Sequence, residues 1–455
     1  MSVSIIGGGI AGLSVGYRLI ELGYNNFTIF ESSDCLGGLS RSIEHDGFIF
    51  DLGPHQIHTE NQEVISYLEK VLKDELLIQE KKASQWFHDK FLNYPMGLND
   101  LIFGLPLGLS MSSFLSFCKQ SIINLFVNKD KSNFESWVIS HFGLKMYDAY
   151  FGPYTEKVWG KHPRLLSATC AEERIAVQNM MDVIFSAVTK NITKFRNHYN
   201  LPHSPYQRTF YYPKYGSGQL ADGMGRFIME NRGNIQLNSR IVSVENGKSG
   251  FTAQTQDGQR VRSDFVISTI PVSKFANMLE HENQIEKPEF ELEFRSLTFV
   301  FFSVNRDRVT DNHWIYFPDK DCIFQRVSEL KNFSSFMVPE GCSSVCAEIP
   351  CDYKDAVWEM EDDELFDLTI SAMEKIGYLS GEDILGKWVA RERFAYPTYD
   401  IDYAEKLTAT NAYLEQFENI FSTGRQGAFS YINIDEVMLM GFRTAERVFG
   451  LIGKK

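Results

Sequence analysis

Two histidines three residues apart, His55 and His58, follow a Gly-Pro turn in the stretch FDLGPHQIHTENQ. Such a pair can ligate a metal, orient a substrate or sit in a loop, and imidazole titrates near neutrality. Metal binding needs further Asp, Glu, His or Cys at ligand spacing, and this stretch has no complete set, so no metal is expected. A second constellation lies at the start of the chain. Gly7, Gly9 and Gly12 make a G-x-G-x-x-G pattern between VSII and an apolar helical run, and Glu31 follows Gly12 by 19 residues. Glycines there permit a tight turn and let backbone approach a pyrophosphate at a helix N-terminus, while the carboxylate meets ribose hydroxyls. Read as residues alone, the histidines keep all three roles open and the glycines predict a dinucleotide.

Composition narrows the classes. The 455 residues carry 45 Lys and Arg against 59 Asp and Glu, a net charge of −14, which argues against nucleic-acid binding. An acidic chain must hold any anionic ligand with a local cluster of Arg or Lys. Phe and Tyr number 36 and 20, enough to line an aromatic cleft as well as a core. Seven cysteines without a C-x-x-C pair predict a reducing compartment and no zinc site at Cys342, Cys346 and Cys351. The chain starts on a strand without a basic leader, which predicts a cytoplasmic location. The 18 uncharged residues LIFGLPLGLSMSSFLSFC (101–118) are broken by Pro106, glycines and serines, and predict a packed helical hairpin and no membrane span.

The elements that must position these residues follow from periodicity. VSIIGGGIAGLSVGYRLIELG then NFTIFES reads as strand, glycine turn, helix and strand. Residues from about 60 to 200 read as mostly helical, 290–350 as strand-rich and 360–378 as helical. The end reads as strand, Gly-Arg turn and long amphipathic helix. No repeat or long linker separates these parts, so the domains interleave. The expected fold class is α/β. A Rossmann-like domain (1–75 with 205–275 and 385–455) is interleaved with a helical domain (76–204) and a mostly antiparallel β-sheet domain (276–384).

Four separated segments carry a resemblance. The glycine turn, LGGLSRS with Gly38 and Arg41, DFVISTIP, and STGRQGAFSYINIDEVMLMG with Gly424, Arg425 and Asp435 resemble the FAD proteins that include amine oxidases and protoporphyrinogen oxidase. The resemblance implies FAD, held by these glycines, arginines and acids. Within that group the chain looks most like the UDP-galactopyranose mutases. GFIFDLGPHQIHT, YTEKVWGKHPRLLSATCAEERIA, HWIYFPDKDCIFQRVSELKNFSSFMVP, AYPTYD and GRQGAFSY are similar to mutase segments. The likeness implies that Arg174 and Arg326 clamp a sugar-nucleotide diphosphate and that Tyr396 and Tyr431 bond its oxygens. Trp159, Trp314 and Tyr316 would border the substrate, and His58 or His55 would face the flavin.

The implied reaction is covalent catalysis, with N5 of reduced FAD attacking the anomeric carbon while the diphosphate leaves but stays clamped. It interconverts pyranose and furanose forms of a nucleotide sugar, with UDP-galactose first among them, and serves galactofuranose supply for cell-surface polysaccharide. An external reductant such as NADPH is compatible, and oligomeric state is left open. A lid drawn from 150–205 is expected to shield the site. Three departures stand out: Gly97 where bacterial mutases usually have Asn, and Phe429 and Asn433 where Tyr and Asp are commoner. The rivals are an FAD-dependent oxidase of the protoporphyrinogen-oxidase or amine-oxidase kind, and a non-catalytic protein that reuses the fold.

Overall fold

Every residue of the strand Val3–Ile6 is buried, as expected of a strand covered on both faces. It lies at the centre of a five-stranded parallel sheet whose order is Ile420–Ser422, Phe265–Ser268, Val3–Ile6, Phe27–Phe30 and Asn234–Gln236. From Val3–Ile6 the chain moves to one side through the helix Ile10–Glu21, and the strands on the other side arrive much later in sequence. That makes the carboxyl end of Val3–Ile6 a topological switch point, where open α/β sheets bind ligands. The helix Ile10–Glu21 buries residues nearly all round, because the C-terminal helix Ile434–Ile452 packs on it closely. A methyl group added to Gly441 of that helix would lie 2.6 Å from the Ser14 side chain.

This computed structural model describes residues 1–96, 100, 104–175, 209–247, 250–281 and 291–454. The contacts divide the chain into two units. The first contains 1–78, 211–293 and 404–455, and the second contains 79–210 and 294–403. Besides the parallel sheet, the first unit holds a four-stranded sheet built from residues 241–281. The second unit is organised on a seven-stranded sheet. Its order is Ile384–Pro397, Phe294–Val304, Ser343–Cys351, Arg326–Glu329, Trp314–Tyr316, Ala83–Phe87 and Lys90–Asn93. All neighbours are antiparallel except the parallel pair Trp314–Tyr316 and Ala83–Phe87. The helices Leu107–Ile123, Phe134–Phe142, Gly152–Trp159 and Ala168–Arg174 belong to the same unit. The expected Rossmann-like fold with a mostly antiparallel second sheet is therefore present.

Local differences from expectation have physical causes. The span from 60 to 200, expected to be mostly helical, also contains the strands Leu76–Glu80, Ala83–Phe87 and Lys90–Asn93. The hairpin turns on His88 and Asp89, both with positive φ (51° and 58°), without the Asn-Gly or Asp-Gly pair that would have announced it. Among the described residues of 101–118 there is one long helix. This helix, Leu107–Ile123, begins after Pro106, and the Ser110 and Ser112 hydroxyls donate back to the carbonyls of Pro106 and Leu109. Residues 101–103 lie outside the described residues. Among the described residues no helix is long and apolar enough to cross a membrane.

The glycine turn is where packing leaves least choice. A methyl group on Gly12 would run into the carbonyl oxygen of Gly7. Gly12→Ala is expected to lower stability by about 1–3 kcal/mol, the usual cost of overpacking. Urea unfolding midpoints of the variant and the parent check this.

Candidate functional site

In the first unit three segments far apart in sequence are brought together. Gly37 donates its backbone N–H to the carbonyl of Gly8 at 3.0 Å, and Gly9 and Gly37 form a bridge. Gly424, with φ of 78°, abuts Ala11 so closely that a side chain there would collide. A Cβ on Gly9 would make only ordinary contacts with Gly37 and Gly38, none closer than 3.8 Å. The result is a cradle of bare backbone at the N-terminus of Ile10–Glu21, suited to a pyrophosphate. Glu31 is buried beside it and accepts N–H donation from Gly8 at 2.6 Å and Ser33 at 2.8 Å. Arg41 donates to the Gly38 carbonyl, and the Arg425 guanidinium lies 4.4 Å from the Tyr431 ring centre. Asp435 is buried in the first turn of Ile434–Ile452. These residues fit the dinucleotide part of FAD.

The two histidines of the same unit have different settings. A ring nitrogen of His55 pairs with the carbonyl of Leu52 at 3.1 Å, so this imidazole ties its own loop. His58 follows Ile57, which exchanges two backbone hydrogen bonds with Tyr211 at 3.0 and 2.9 Å. Phe429 is buried with φ of 50°, an uncommon backbone for an aromatic residue.

The second unit carries the arginines. Arg174 ends the helix Ala168–Arg174, whose first turn is tied down by Ser167: its side chain caps Thr169 and its N–H donates to Tyr399. That tether brings Arg174 to the end of the strand Ile384–Pro397. Its guanidinium lies 4.9 Å from the Trp159 ring centre and 5.6 Å from that of Tyr396, both cation–π distances. Trp159 closes the helix Gly152–Trp159, which stops at left-handed Gly160. There Arg295 donates to the Val158 carbonyl at 3.0 Å and pairs with Asp352.

Arg326 is set by sheet register. Tyr316, Arg326 and Glu348 stand directly opposite one another on three adjacent strands. Glu348, 1% exposed, takes the arginine in a two-pronged pair, with Nε and Nη2 each donating at 2.6 Å. Burial alone would lower the guanidinium pKa, but Glu348 raises it well above the ordinary value. The expected permanent cation is there, yet its fork is occupied by a carboxylate and only the outer edge faces elsewhere. Tyr396 and Tyr316 both sense this charge, so Arg174 and Arg326 share the Tyr396 neighbourhood. Trp314 is 2% exposed and packs on Phe333 instead of lining the cavity described next.

That cavity, of ≈ 160 Å³, is lined by Arg174, Trp159, Tyr316, Tyr94, Tyr150, Tyr154, Phe151 and Gln85 among others. A π-helical turn at Tyr147–Phe151, a form frequent at functional sites, precedes the helix that presents Tyr154. Burial raises the phenol pKa of Tyr94, Tyr150 and Tyr154, so all three are neutral donors at physiological pH. Tyr150 donates to the fully buried Gln85 at 2.7 Å. Sequence reasoning missed Gln85, Tyr94 and Tyr150. The four-residue spacing of Tyr150 and Tyr154 was a readable signal; Gln85 and Tyr94 arrive through the unexpected hairpin and had none. Gly97 and most of the proposed lid, 176–205, lie outside the described residues. Among the described residues no group of three or more His, Cys, Asp or Glu could hold a metal ion.

A parallel sheet with a glycine cradle at its switch point, joined to a sheet-based second unit, defines a flavin-binding oxidoreductase fold. Comparison with known proteins agrees. Residues 10–449 match the family described as flavin containing amine oxidoreductase, and the chain belongs to that family. A crystal structure of reduced UDP-galactopyranose mutase superposes with a TM-score of 0.85 at 25% identity, covering 99% of this chain and 94% of that one. The structure of a putative protoporphyrinogen oxidase from Exiguobacterium sp. 255-15 gives a TM-score of 0.74 at 16% identity, covering 98% of each chain, a likeness of fold. In sequence, a probable UDP-galactopyranose mutase of Klebsiella pneumoniae is 26% identical over 37% of this chain and 43% of its own length. Protoporphyrinogen oxidase 1 of Spinacia oleracea is 24% identical over 59% of this chain and 50% of its own. The matches thus span about half the length, or less, of these two curated relatives.

His313 beside Trp314 supplies a pH test of the second unit. It is 4% exposed, its Nδ1 accepts from the Lys82 N–H at 3.2 Å, and Phe210 and Phe333 pack on the ring. Burial lowers its pKa from 6.5 to about 4. Between those values the unfolded chain binds the proton and the folded chain does not. Stability present above pH 6.5 is therefore lost as pH falls toward 4, by up to about 3 kcal/mol. His313→Asn, which keeps an acceptor for Lys82, is expected to flatten that part of the acid limb in urea titrations at a series of pH values.

Proposed function

We propose that the chain is a flavin-dependent sugar-nucleotide mutase that interconverts pyranose and furanose forms of a UDP-sugar, with UDP-galactose the first candidate. One observation carries the reading: in a strongly acidic chain, Arg174 is held between Trp159 and Tyr396 at a cavity whose other polar groups are largely neutral phenols. A cation presented this way suits a diphosphate, since contact with the rings restrains the guanidinium, whose planar donors match phosphate oxygen. The likeness to the reduced mutase structure supports the same reading. The cavity is smaller than the roughly 300–1,000 Å³ of a whole-ligand pocket, and has room for one planar base.

When bound, reduced FAD supplies the nucleophile, and electrons from a donor such as NADPH would keep it competent. The protein's residues hold the rest. Arg174 binds the diphosphate and stabilises the charge that grows on it as the glycosidic bond breaks. Arg326, already paired with Glu348, offers its outer edge and fixes Tyr316 beside it; Tyr396 and Tyr431 are further donors to phosphate oxygen. His58 adjusts the polarity at the flavin ring. The setting proposed is cytoplasmic, with galactofuranose for surface polysaccharide as the end use.

A second reading, an FAD-dependent oxidase, draws on the Arg326–Glu348 pair. With its charge balanced internally, the sheet side of the site is close to neutral and tolerates an apolar substrate. Protoporphyrinogen oxidase 2 of Arabidopsis thaliana, 23% identical, matches over 93% of this chain and 89% of its own length. The two readings part in one experiment. With dithionite-reduced enzyme and UDP-galactofuranose, chromatography is expected to show UDP-galactopyranose. Net oxidation of another substrate, with no UDP-hexose converted, would overturn the mutase.

Arg174→Ala is expected to weaken UDP binding by about 1.5–3 kcal/mol, roughly 10- to 100-fold by calorimetry. Arg326→Ala differs in kind. It strands the buried Glu348 and is expected to cost about 3–5 kcal/mol of stability, read by urea denaturation.

A further inference from the structure

The loop that carries the two histidines is sewn at both ends to one strand. At its start, Asp51 is fully buried at the end of the strand Phe48–Asp51. Its carboxylate accepts from the hydroxyl of Ser42 at 2.6 Å, from the hydroxyl of Tyr212, and from the N–H of Ser217 at 2.9 and 3.1 Å. At its end, Ile57 pairs by both backbone groups with Tyr211, the neighbour of Tyr212. Between them Gly53 turns with φ of 89°, its N–H donating to the Asp51 carbonyl. Gly216 clears the way for the carboxylate: a side chain there would lie 2.8 Å from Asp51 Oδ1.

The chemistry of this knot is selective. The two hydroxyls and the backbone N–H are directed as donors, so the site asks for a group that only accepts. A carboxylate does that, its donors opposing the upward pull of burial on its pKa, whereas an amide would turn an N–H₂ toward a donor. Burying an anion without a cation is expensive, and apolar residues would close a hairpin at lower cost. A buried acceptor that draws in two strands and the start of the helix Gly218–Glu230 is a device for setting one loop geometry.

We propose that Asp51 is a positioning residue for the flavin: through Tyr212 and Ser42 it fixes the loop 52–58, and so the orientation of the His58 imidazole toward the flavin ring. The inference rests on the flavin reading and on the assignment of His58, and it is independent of whether the chain isomerises a sugar.

The test uses FAD-loaded protein without any sugar nucleotide. Visible spectra and flavin midpoint potentials are measured for Asp51→Asn, Tyr212→Phe, His58→Ala and the double variants with His58→Ala. The expected result is a shift with Asp51→Asn in the same direction as with His58→Ala, a smaller one with Tyr212→Phe, and no further shift when either is added to His58→Ala. Should Asp51→Asn fail to fold or to retain FAD, Tyr212→Phe and Ser42→Ala, which keep the carboxylate, carry the same cycle. Unchanged spectra and potentials in FAD-loaded variants at 51 and 212 would overturn the proposal. So would shifts that add in full to those of His58→Ala, or a His58→Ala protein whose flavin is unaltered. Activity on UDP-galactofuranose is not read, so failure of the mutase reading leaves this outcome legible.

Discussion

Backbone segments can cross in close contact, and meet a phosphate with bare N–H groups, most readily where side chains are missing. The first unit depends on that constraint. Gly7 and Gly12 close the turn on themselves, Gly37 bonds to Gly8, and Gly424 rests on Ala11. The last two contacts join segments distant in sequence, and none of the three tolerates a methyl group where the packing is tightest. The same absence that lets the chain fold leaves bare backbone at Gly9, at the helix end where an anion is favoured. Folding and cofactor binding thus draw on one set of residues, and a change that harms one harms the other.

The second unit solves the opposite problem, holding cations in place within an acidic chain. Its two solutions differ. Arg326 is neutralised by Glu348 across the sheet, an arrangement with excellent geometry and little net charge. Arg174 stands beside aromatic faces, which restrain the guanidinium. Under the proposed function the second is the one that meets the diphosphate. The first contributes shape, keeping Tyr316 and its neighbours in register. An expectation that treated the two arginines as equal halves of a clamp missed this division.

The legible part of the molecule was the part written in local pattern. The glycine turn, Glu31 and the strands VSII, FTIF and FVIS announce themselves by spacing and by continuous apolar runs, as does the closing helix through its period. Less legible was anything decided by tertiary register. That Glu348 stands opposite Arg326 depends on the alignment of strands 22 residues apart, which neither residue's local sequence reveals. The hairpin at 83–93 was hidden by a His-Asp turn in a left-handed conformation, and with it Gln85 and Tyr94. The histidines were visible as a pair; the His55 contact with Leu52 and the pairing of Ile57 with Tyr211, which distinguish their settings, were not.

These two kinds of residue also bear differently on function. A glycine cradle serves any dinucleotide flavoprotein, which is why mutases and oxidases both superpose on the chain. Chemistry has to be chosen where charge is left over after the fold has used what it needs. In the second unit the paired Arg326 adds little to that remainder, so Arg174 is the cation on which the choice turns. The half-buried Arg174 guanidinium, beside aromatic rings at a cavity with tyrosine hydroxyls, is the group there suited to anionic oxygen. Under the mutase reading a diphosphate would meet that guanidinium, and the tyrosine hydroxyls can donate without competing. The proposal of a nucleotide-bearing substrate rests on these side chains more than on the fold.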